Sequence, residues 1–323
     1  MTRLVSGIQP TGTGVPHLGN YLGAIRPLVK LAPSYSKAFV FVADIHATTV
    51  AYNPRSLFRS SLMTMKALMA SGVPESCLFM QSRVHEHYQL GLMLQHLTTI
   101  NQLSHLTQFR DKSGKTESVE TGLLTYPALM TADIMLYSLG MKVDVIVGED
   151  QTQHIEFAND LIRKFNRVHG CRFFKIGCVM GTARRVMSLQ DPTRKMSKSD
   201  LSEMGIVYLT DDMDYVSRKF RRAVTGSKPE IVEIPEDNEA GTLNLLNILS
   251  GMTDMDIAST CQSMAGRQMS YLKKSIIECY ENTVAPVGVR MKEITDDAAM
   301  NVSGEVHAQI TARQTMSYIL HQM

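Results

Sequence analysis

The chain has 323 residues, of which 44% are hydrophobic and 20% are charged, and its formal net charge is +2. This composition is typical of a globular protein of about two domains, and no apolar run reaches the ~18 residues that a membrane span needs. The near-zero charge excludes a strongly positive overall field, so nucleic acid would have to bind a local basic patch.

Four short apolar runs predict buried strands at residues 4–8, 38–45, 77–81 and 143–148. Amphipathic helical patterns cover residues 54–72 and 151–169, each directly between or after such strands. This alternation predicts an α/β fold with a Rossmann-like, doubly wound parallel sheet. A further helix is expected from residue 18 to about 31, and Pro27 within it predicts a kink.

The strand pattern fades after about residue 205, where "IVYLTDD" is the last candidate strand. Helical patterns follow near residues 212–224, 241–251, 254–265, 269–282 and 303–321. We therefore predict an α/β domain over residues 1–200, with a helical insertion around 85–140, and a mainly helical region over 201–323. The last helix is a candidate to pack back on the first domain.

The N-terminus and the cysteines bear on location. The first residues, "MTRLVSGIQP", show neither an apolar signal-peptide core nor an Arg- and Ser-rich presequence. The five Cys are too scattered for a zinc site or a disulfide framework. Both observations favour the cytoplasm, and the alternative is a mitochondrial matrix protein from which a presequence was removed.

The first of three polar segments at expected strand ends is "SGIQPTGTGVPHLGN" (6–20), a turn rich in Gly and Pro that runs into a helix. Backbone N–H groups and the helix dipole favour phosphate at such a helix start. The glycine spacing fits neither a dinucleotide G-x-G-x-x-G motif nor a Walker A loop. A plain strand-to-helix turn, with His17 as an ordinary buried side chain, is the alternative.

The other two polar segments are "VGEDQTQH" (147–154) and "DPTRKMSKSD" (191–200). The second of these places Lys195 and Lys198 beside two small hydroxyl residues in one loop. Two mobile ammonium groups suit a polyphosphate that gains charge as it leaves. A solvated charged loop is the alternative.

"HLGN" near the start, followed about 180 residues later by "KMSKS", resembles the two signature motifs of class I aminoacyl-tRNA synthetases. The stretches "SGIQPTG", "GLLTYPALMTADIMLY" and "VGEDQTQHIEFANDL" narrow the resemblance to tryptophanyl-tRNA synthetases. The similarity runs in order from residue 4 to about residue 225, which is more specific than either short motif.

The resemblance implies that tryptophan and ATP give tryptophanyl-adenylate and pyrophosphate, and that tryptophan then passes to tRNA(Trp). It implies ATP with Mg²⁺ but no dedicated protein cage for the metal, a homodimer, and anticodon binding by residues 201–323. The basic cluster "RKFRR" (218–222) is either a phosphate-contacting face or a solvated helix face. No protein nucleophile is expected, because the tryptophan carboxylate attacks ATP.

The resemblance also implies an ATP site. His17 would donate to the phosphate oxygens, and Lys112, Lys195 and Lys198 would hold the triphosphate. The residues expected to line this site are Gln9, Pro10, Thr11, Gly19, Asn20, Gly148, Glu149, Asp150, Val186, Lys195, Met196, Ser197, Lys198 and Ser199.

The tryptophan site implied by the resemblance centres on Asp133, which would accept the indole N–H. An ion pair or a helix cap is the alternative role for this carboxylate. The other implied residues are Tyr126 and Gln151 for the ammonium group, Met130 and Ile134 for the ring, and His46 near the substrate or in a structural role.

Three departures from the family pattern stand out. The loop before His17 is longer, the segment before Gly148 is longer and has Ile146 in place of Pro, and Val5 replaces a Phe of some relatives. The competing functions are a tyrosyl-tRNA synthetase, a smaller nucleotidyltransferase with an H-x-G-H-like turn, and an inactive synthetase-like binding protein. The last of these would lack catalysis although every proposed catalytic position is present.

Overall fold

A computed structural model describes residues 2–107, 109–110, 119–147, 151–180, 185–198 and 202–323. Within these residues the chain forms a five-stranded sheet in which all paired strands are parallel. The strands are β1 Thr2–Ile8, β2 Lys37–Val42, β3 Leu78–Met80, β4 Lys142–Val147 and β5 Gly177–Met180. Their order in the sheet is β3-β2-β1-β4-β5, so the direction of winding reverses beside β1.

The four predicted strands and the Rossmann-like class are confirmed, whereas β5 was not predicted. This strand has only four residues, and so short an apolar run carries no reliable period. It pairs with β4 at the edge of the sheet, where Gly177 faces Asp144. A Cβ at Gly177 would lie 2.0 Å from Asp144 Oδ1, so a larger residue there would displace that side chain.

The first helix, α1, consists of an α-helical turn at Leu18–Asn20, a π-helical turn at Tyr21–Ile25 and an α-helical stretch at Arg26–Leu31. In the π turn the N–H of Arg26 donates to the carbonyl of Tyr21. Pro27 has no N–H for a regular helical hydrogen bond. A kink was predicted at Pro27, and the structure has a π-helical turn just before this residue.

The remaining helices of the first part of the chain include the two that were predicted with the strands. They are α2 Asp44–Ala47, α3 Pro54–Ala70, α4 Glu86–His96, α5 Ile100–Ser104, α6 Thr121–Met135 and α7 Thr152–His169. Helix α3 begins as expected, because the side chain of Asn53 accepts from the N–H of Ser56 and Pro54 occupies the first turn.

The second part of the chain is helical. Its helices are α8 Met213–Arg221, α9 Ala240–Thr253, α10 Ile257–Met264, α11 Met269–Thr283, α12 Ala285–Glu293, α13 Asp296–Met300 and α14 Gly304–His321. Helices α12 and α13 were not predicted. The strand expected at "IVYLTDD" is wrong, because this segment makes only an isolated antiparallel bridge between Tyr208 and His17. Across the described ranges, no helix is long and apolar enough to cross a membrane.

The last helix, α14, packs against the sheet. Its residues Ala308, Ala312 and Ile319 are buried in the same hydrophobic cluster as Phe39 and Phe79 of the sheet. The hydroxyl of Thr315 donates to the carbonyl of Leu136 at 2.6 Å. The second large cluster lies on the other sheet face and joins α1 and α3 to helices of the second part of the chain.

Candidate active site

A cavity of about 480 Å³ lies at the carboxyl ends of β1, β2 and β4, where the winding of the sheet reverses. All six residues predicted for tryptophan line it, together with Gln9 of the predicted ATP loop. The lining is Val5, Ser6, Gly7, Gln9, Phe41, Ala43, His46, Thr49, Val50, Leu123, Tyr126, Met130, Asp133, Ile134, Val145, Ile146 and Gln151.

Asp133 is the most polar feature of this wall. It lies on α6, and its side chain is only 3% exposed. Its Oδ1 accepts from Gln81 Nε2 at 2.7 Å and from His87 Nδ1 at 2.6 Å. A buried carboxylate needs such partners to offset its lost hydration. The side chain is therefore fixed in place on the cavity wall.

The partner His87 is itself oriented by a third residue. Its Nε2 lies 2.9 Å from the hydroxyl of Tyr137, and burial raises the pKa of that hydroxyl well above its usual value. Nδ1 of His87 donates to the carboxylate of Asp133, and Nε2 shares a hydrogen bond with the hydroxyl of Tyr137. Both ring nitrogens are therefore held, and the orientation of the ring is fixed.

The second oxygen of Asp133 lies nearer to the rim residue His46. The distance from Oδ2 to His46 Nδ1 is 3.2 Å, and Gln81 Nε2 is 3.0 Å from the same nitrogen. The ring of His46 packs edge-on against Tyr126, with 6.4 Å between ring centroids. His46 therefore lines the cavity and also supports its carboxylate.

Gln81, His87 and Tyr137 belong to the site but were not among the predicted residues. Gln81 directly follows β3, so the strand-end rule could have identified it. Tyr137 follows the end of α6 and lies four residues after Asp133, so helical spacing could have placed the two side chains on one face. His87 lies on α4, and no sequence spacing relates it to Asp133.

The remaining predicted residues form the walls of the cavity. Met130 and Ile134 share α6 with Asp133, and Val5 and Ile146, both departures from the family pattern, are apolar neighbours in the lining. The hydroxyl of Tyr126 lies 2.5 Å from His154 Nε2, and burial raises its pKa. The cavity is thus mainly apolar with a few fixed polar groups, as in small-ligand sites generally.

His17 caps the start of α1 by a reciprocal pair of hydrogen bonds. Its Nδ1 accepts from the N–H of Asn20 at 3.2 Å, and Asn20 Oδ1 accepts from the N–H of His17 at 3.3 Å. Because Nδ1 is an acceptor, the neutral ring carries its proton on Nε2. His17 is therefore held as a neutral donor beside a helix start.

Charge and burial both keep His17 neutral. Burial is the larger cause, and the positive charges of Lys198 and Lys195 add to it, which together lower its pKa to about 4. With a pKa this low the ring is a weak base that is uncharged at neutral pH. The same effect places both lysines of "KMSK" electrostatically close to the imidazole.

We expect the imidazole of His17 to remain neutral until the pH falls to about 4, because burial and both lysines oppose its protonation. Titration of its ring protons by nuclear magnetic resonance, assigned by comparison with His17→Ala, measures this directly. A midpoint near the ordinary value of about 6.5 would contradict the proposed site electrostatics.

Gly19 lies between the imidazole of His17 and the side chain of Val186. A Cβ at this position would lie 3.1 Å from two ring atoms of His17 and 3.4 Å from the Cβ of Val186. Val186 is only 2% exposed. The predicted residues His17, Gly19, Asn20 and Val186 are therefore brought together at one corner.

The long loop before His17 is anchored to α3. Gly14 has φ +80°, and a Cβ there would lie 2.1 Å from the carbonyl of Ser60. The hydroxyl of Thr64 donates to the carbonyl of Gly14 at 3.2 Å. The longer loop therefore has its own docking point, which only glycine allows.

The segment around "DPTRKMSK" forms a hairpin. The N–H of Ser188 donates to the carbonyl of Arg194 at 2.8 Å, and the N–H of Met196 donates to the carbonyl of Val186 at 3.0 Å. At the tip, Asp191 Oδ1 accepts from the N–H of Thr193 at 3.1 Å, as in an Asx turn. The predicted loop is thus a defined hairpin through Lys198.

The two predicted lysines of the hairpin differ in environment. Lys195 is exposed, whereas Lys198 Nζ donates to the carbonyl of Thr11 at 2.5 Å. Burial lowers the pKa of Lys198 to about 8. Met196 between them is 1% exposed and packs in the core, so a nucleotide could meet only its backbone. The hairpin therefore touches the "QPTG" loop directly.

The basic cluster "RKFRR" is not a single charged face. Lys219 is 1% exposed, and its Nζ bonds Asp211 Oδ2 at 2.6 Å. The same oxygen accepts from the N–H of Tyr208, the partner of His17 in the isolated bridge. Lys219 therefore holds Asp211, which in turn holds the segment that pairs with His17. Of the charged residues in this cluster, only the three arginines are exposed.

Five predicted residues lie outside the described residues: Lys112, Gly148, Glu149, Asp150 and Ser199. Among the residues that are described, no group of three or more His, Cys, Asp or Glu side chains is arranged to hold a metal ion.

Comparisons with known proteins agree with this geometry. Residues 1–275 match the family of class I tRNA synthetases for tryptophan and tyrosine (W and Y). The chain is 37% identical to the tryptophan–tRNA ligase of Caldanaerobacter subterraneus subsp. tengcongensis, over 100% of this chain and 98% of the relative.

Solved structures give the same result. The tryptophanyl-tRNA synthetase of Mycoplasma pneumoniae superposes with a TM-score of 0.86 at 32% identity, covering 100% of this chain and 97% of the other. The Campylobacter jejuni enzyme in complex with ADP and tryptophan has a TM-score of 0.80 at 25% identity, with 99% of each chain covered.

Proposed function

This chain belongs to the class I tRNA synthetases for tryptophan and tyrosine, and from that premise we propose how it performs the tryptophan–tRNA ligase reaction. The carboxylate of tryptophan attacks the α-phosphorus of ATP and pyrophosphate leaves. The tryptophanyl group then passes from the adenylate to tRNA(Trp), and AMP leaves.

The observation that carries the proposal is the fixed carboxylate of Asp133 in an apolar cavity. An indole is a large apolar ring with one N–H donor, so it matches apolar walls with one acceptor. Met130 and Ile134 flank the acceptor on the same helix and would contact the ring. Tyr126 and Gln151 line the same cavity and would hold the ammonium group.

The phosphates would lie at the other corner, between α1 and the hairpin. The neutral Nε2–H of His17 would donate to an α-phosphate oxygen, which gains negative charge during attack. Lys195 and Lys198 would stabilise the pyrophosphate as it leaves. No side chain need act as a nucleophile, since orientation and charge stabilisation carry the reaction.

The rest of the ATP would lie along the "QPT" loop and the HLGN turn. Gln9 of this loop also lines the tryptophan cavity, where its Nε2 is 3.5 Å from the carbonyl of His46. Gly19 and Val186 leave room for the nucleotide beside His17. Mg²⁺ would arrive bound to the phosphate oxygens of ATP, without a dedicated protein cage.

We propose three further features of the enzyme. The exposed arginines of α8 and the helices after it would contact tRNA(Trp), since guanidinium groups suit phosphate. The enzyme would work as a homodimer, as the family resemblance implies. Its place of action would be the cytoplasm.

The test is ATP–pyrophosphate exchange with each amino acid supplied separately. We expect exchange with tryptophan and none above background with phenylalanine, which lacks a donor for Asp133. Exchange driven by tyrosine and not by tryptophan would favour the tyrosyl alternative. Specific binding of tryptophan without exchange would favour an inactive synthetase-like protein.

A further inference from the structure

In the "KMSK" hairpin, some backbone groups of the first strand point away from the second strand. Met187 and Lys195 are opposite each other, but the hairpin hydrogen bonds come from their neighbours Ser188 and Met196. In such a non-hydrogen-bonded pair, the N–H and C=O of each residue point outward. The outward groups of Met187 therefore need a partner elsewhere.

Asn244 of α9 supplies both partners. Its Oδ1 accepts from the N–H of Met187 at 2.8 Å, and its Nδ2 donates to the carbonyl of Met187 at 3.0 Å. Asn244 is 3% exposed, so water does not compete with this pair of bonds. The side-chain amide thus pairs with the outward backbone groups of Met187 as a neighbouring strand would.

The same helix also packs on the helix that His17 begins. Gly251 lies seven residues after Asn244, on the same face of α9, and a Cβ there would lie 3.2 Å from Leu22 of α1. Beyond it, Arg26 of α1 donates to Asp254 Oδ2 at 2.8 Å and to the carbonyl of Met252 at 2.7 Å. Helix α9 therefore contacts both signature elements of the site.

We propose that Asn244 is a positioning residue for phosphate binding. Its amide sets the position of Met187, and Met187 lies directly across the hairpin from Lys195. Through α9 this fixes the ammonium group of Lys195 relative to His17 on α1. The proposal rests on the proposed function of Lys195 in pyrophosphate departure.

The chain offers a matched control in Asn159 of α7. Its amide makes the same two bonds to the backbone of Ile176, at 2.7 Å and 3.2 Å, and it is 7% exposed. Asn159 lies outside the proposed catalytic groups. Substitution there should cost a similar amount of stability without displacing Lys195.

The experiment compares Asn244→Asp with Asn159→Asp in tryptophan-dependent ATP–pyrophosphate exchange and in thermal unfolding. Asp keeps one acceptor but loses the donor to the backbone carbonyl. We expect Asn244→Asp to lower kcat by ~10–100-fold with the KM for tryptophan unchanged, since misplacement of about 1 Å costs that much. Asn159→Asp should lower only the unfolding temperature. Asn244→Ala serves as a second variant if the carboxylate prevents folding.

A double variant decides whether Asn244 acts through Lys195. If it does, adding Asn244→Asp to Lys195→Ala should cause no further loss of kcat. Multiplied losses, or equal effects at positions 244 and 159, would overturn the proposal. Failure of the wild-type protein to exchange with tryptophan would instead refute the proposed function, before any variant is compared.

Discussion

Asp133→Ala is expected to raise the KM for tryptophan in ATP–pyrophosphate exchange by ~10–100-fold. The substitution removes a hydrogen bond to a charged acceptor, which is worth about 1.5–3 kcal/mol. It also leaves Gln81 Nε2 and His87 Nδ1 without the oxygen to which both now donate. Selectivity for tryptophan over phenylalanine should fall in parallel, because the donor of the indole no longer finds an acceptor.

The control for Asp133 is Asp144→Asn on β4. Asp144 Oδ2 accepts from the hydroxyl of Tyr35 at 3.1 Å, and this carboxylate is not part of the cavity lining. We expect Asp144→Asn to leave the KM for tryptophan unchanged. Equal KM values for wild type and Asp133→Ala, with both folded, would show that Asp133 is not the acceptor.

The tryptophan residues were predicted from the family resemblance, and the topology of the sheet explains why some of them meet. Parallel strands end on one side, so polar residues after β1, β2 and β4 had to meet there. Gln9, His46 and Gln151 do line a common cavity with Asp133 of α6. Periodicity gave the strands and the resemblance gave the roles, and neither required knowledge of side-chain contacts.

Contacts between distant segments could not be predicted in this way. Part of the support for Asp133 comes from His87, which lies 46 residues away along the chain. The hydrogen bond from the N–H of Met187 to Asn244 Oδ1 joins residues that are 57 positions apart. Such pairs depend on how helices pack, and a single sequence carries no periodic signal for them.

The burial of charged residues in the basic cluster (218–222) also could not be predicted from the sequence. The run "RKFRR" was expected to form either a phosphate-contacting face or a solvated helix face, yet the structure buries Lys219 while Arg218, Arg221 and Arg222 are exposed. Burial of that ammonium group is possible because Asp211 bonds it at 2.6 Å. Local sequence gave the composition of the cluster, and the packing of α8 decided which charges reach solvent.

Lys195→Ala is expected to lower kcat of tryptophan activation by ~10²–10³-fold, the usual cost of removing one group that stabilises developing charge. Lys195 is exposed on the hairpin and is not part of the tryptophan cavity. Affinity for tryptophan should therefore stay the same, because the contact strengthens only in the transition state. Since the chain contains no Trp, the fluorescence of the ligand itself reports binding.

Arg194→Ala separates the role of Lys195 from a general effect of positive charge. Arg194 is the adjacent exposed cation, and its hairpin hydrogen bonds are made by its backbone N–H and carbonyl, which Ala retains. Its removal should change kcat by less than about threefold, as expected for a screened surface charge. If Arg194→Ala and Lys195→Ala slowed activation equally, the hairpin would act only as a diffuse positive field. If Lys195→Ala weakened tryptophan binding as much as it slowed activation, its contact would be formed in the ground state, and the assignment to departing pyrophosphate would be wrong.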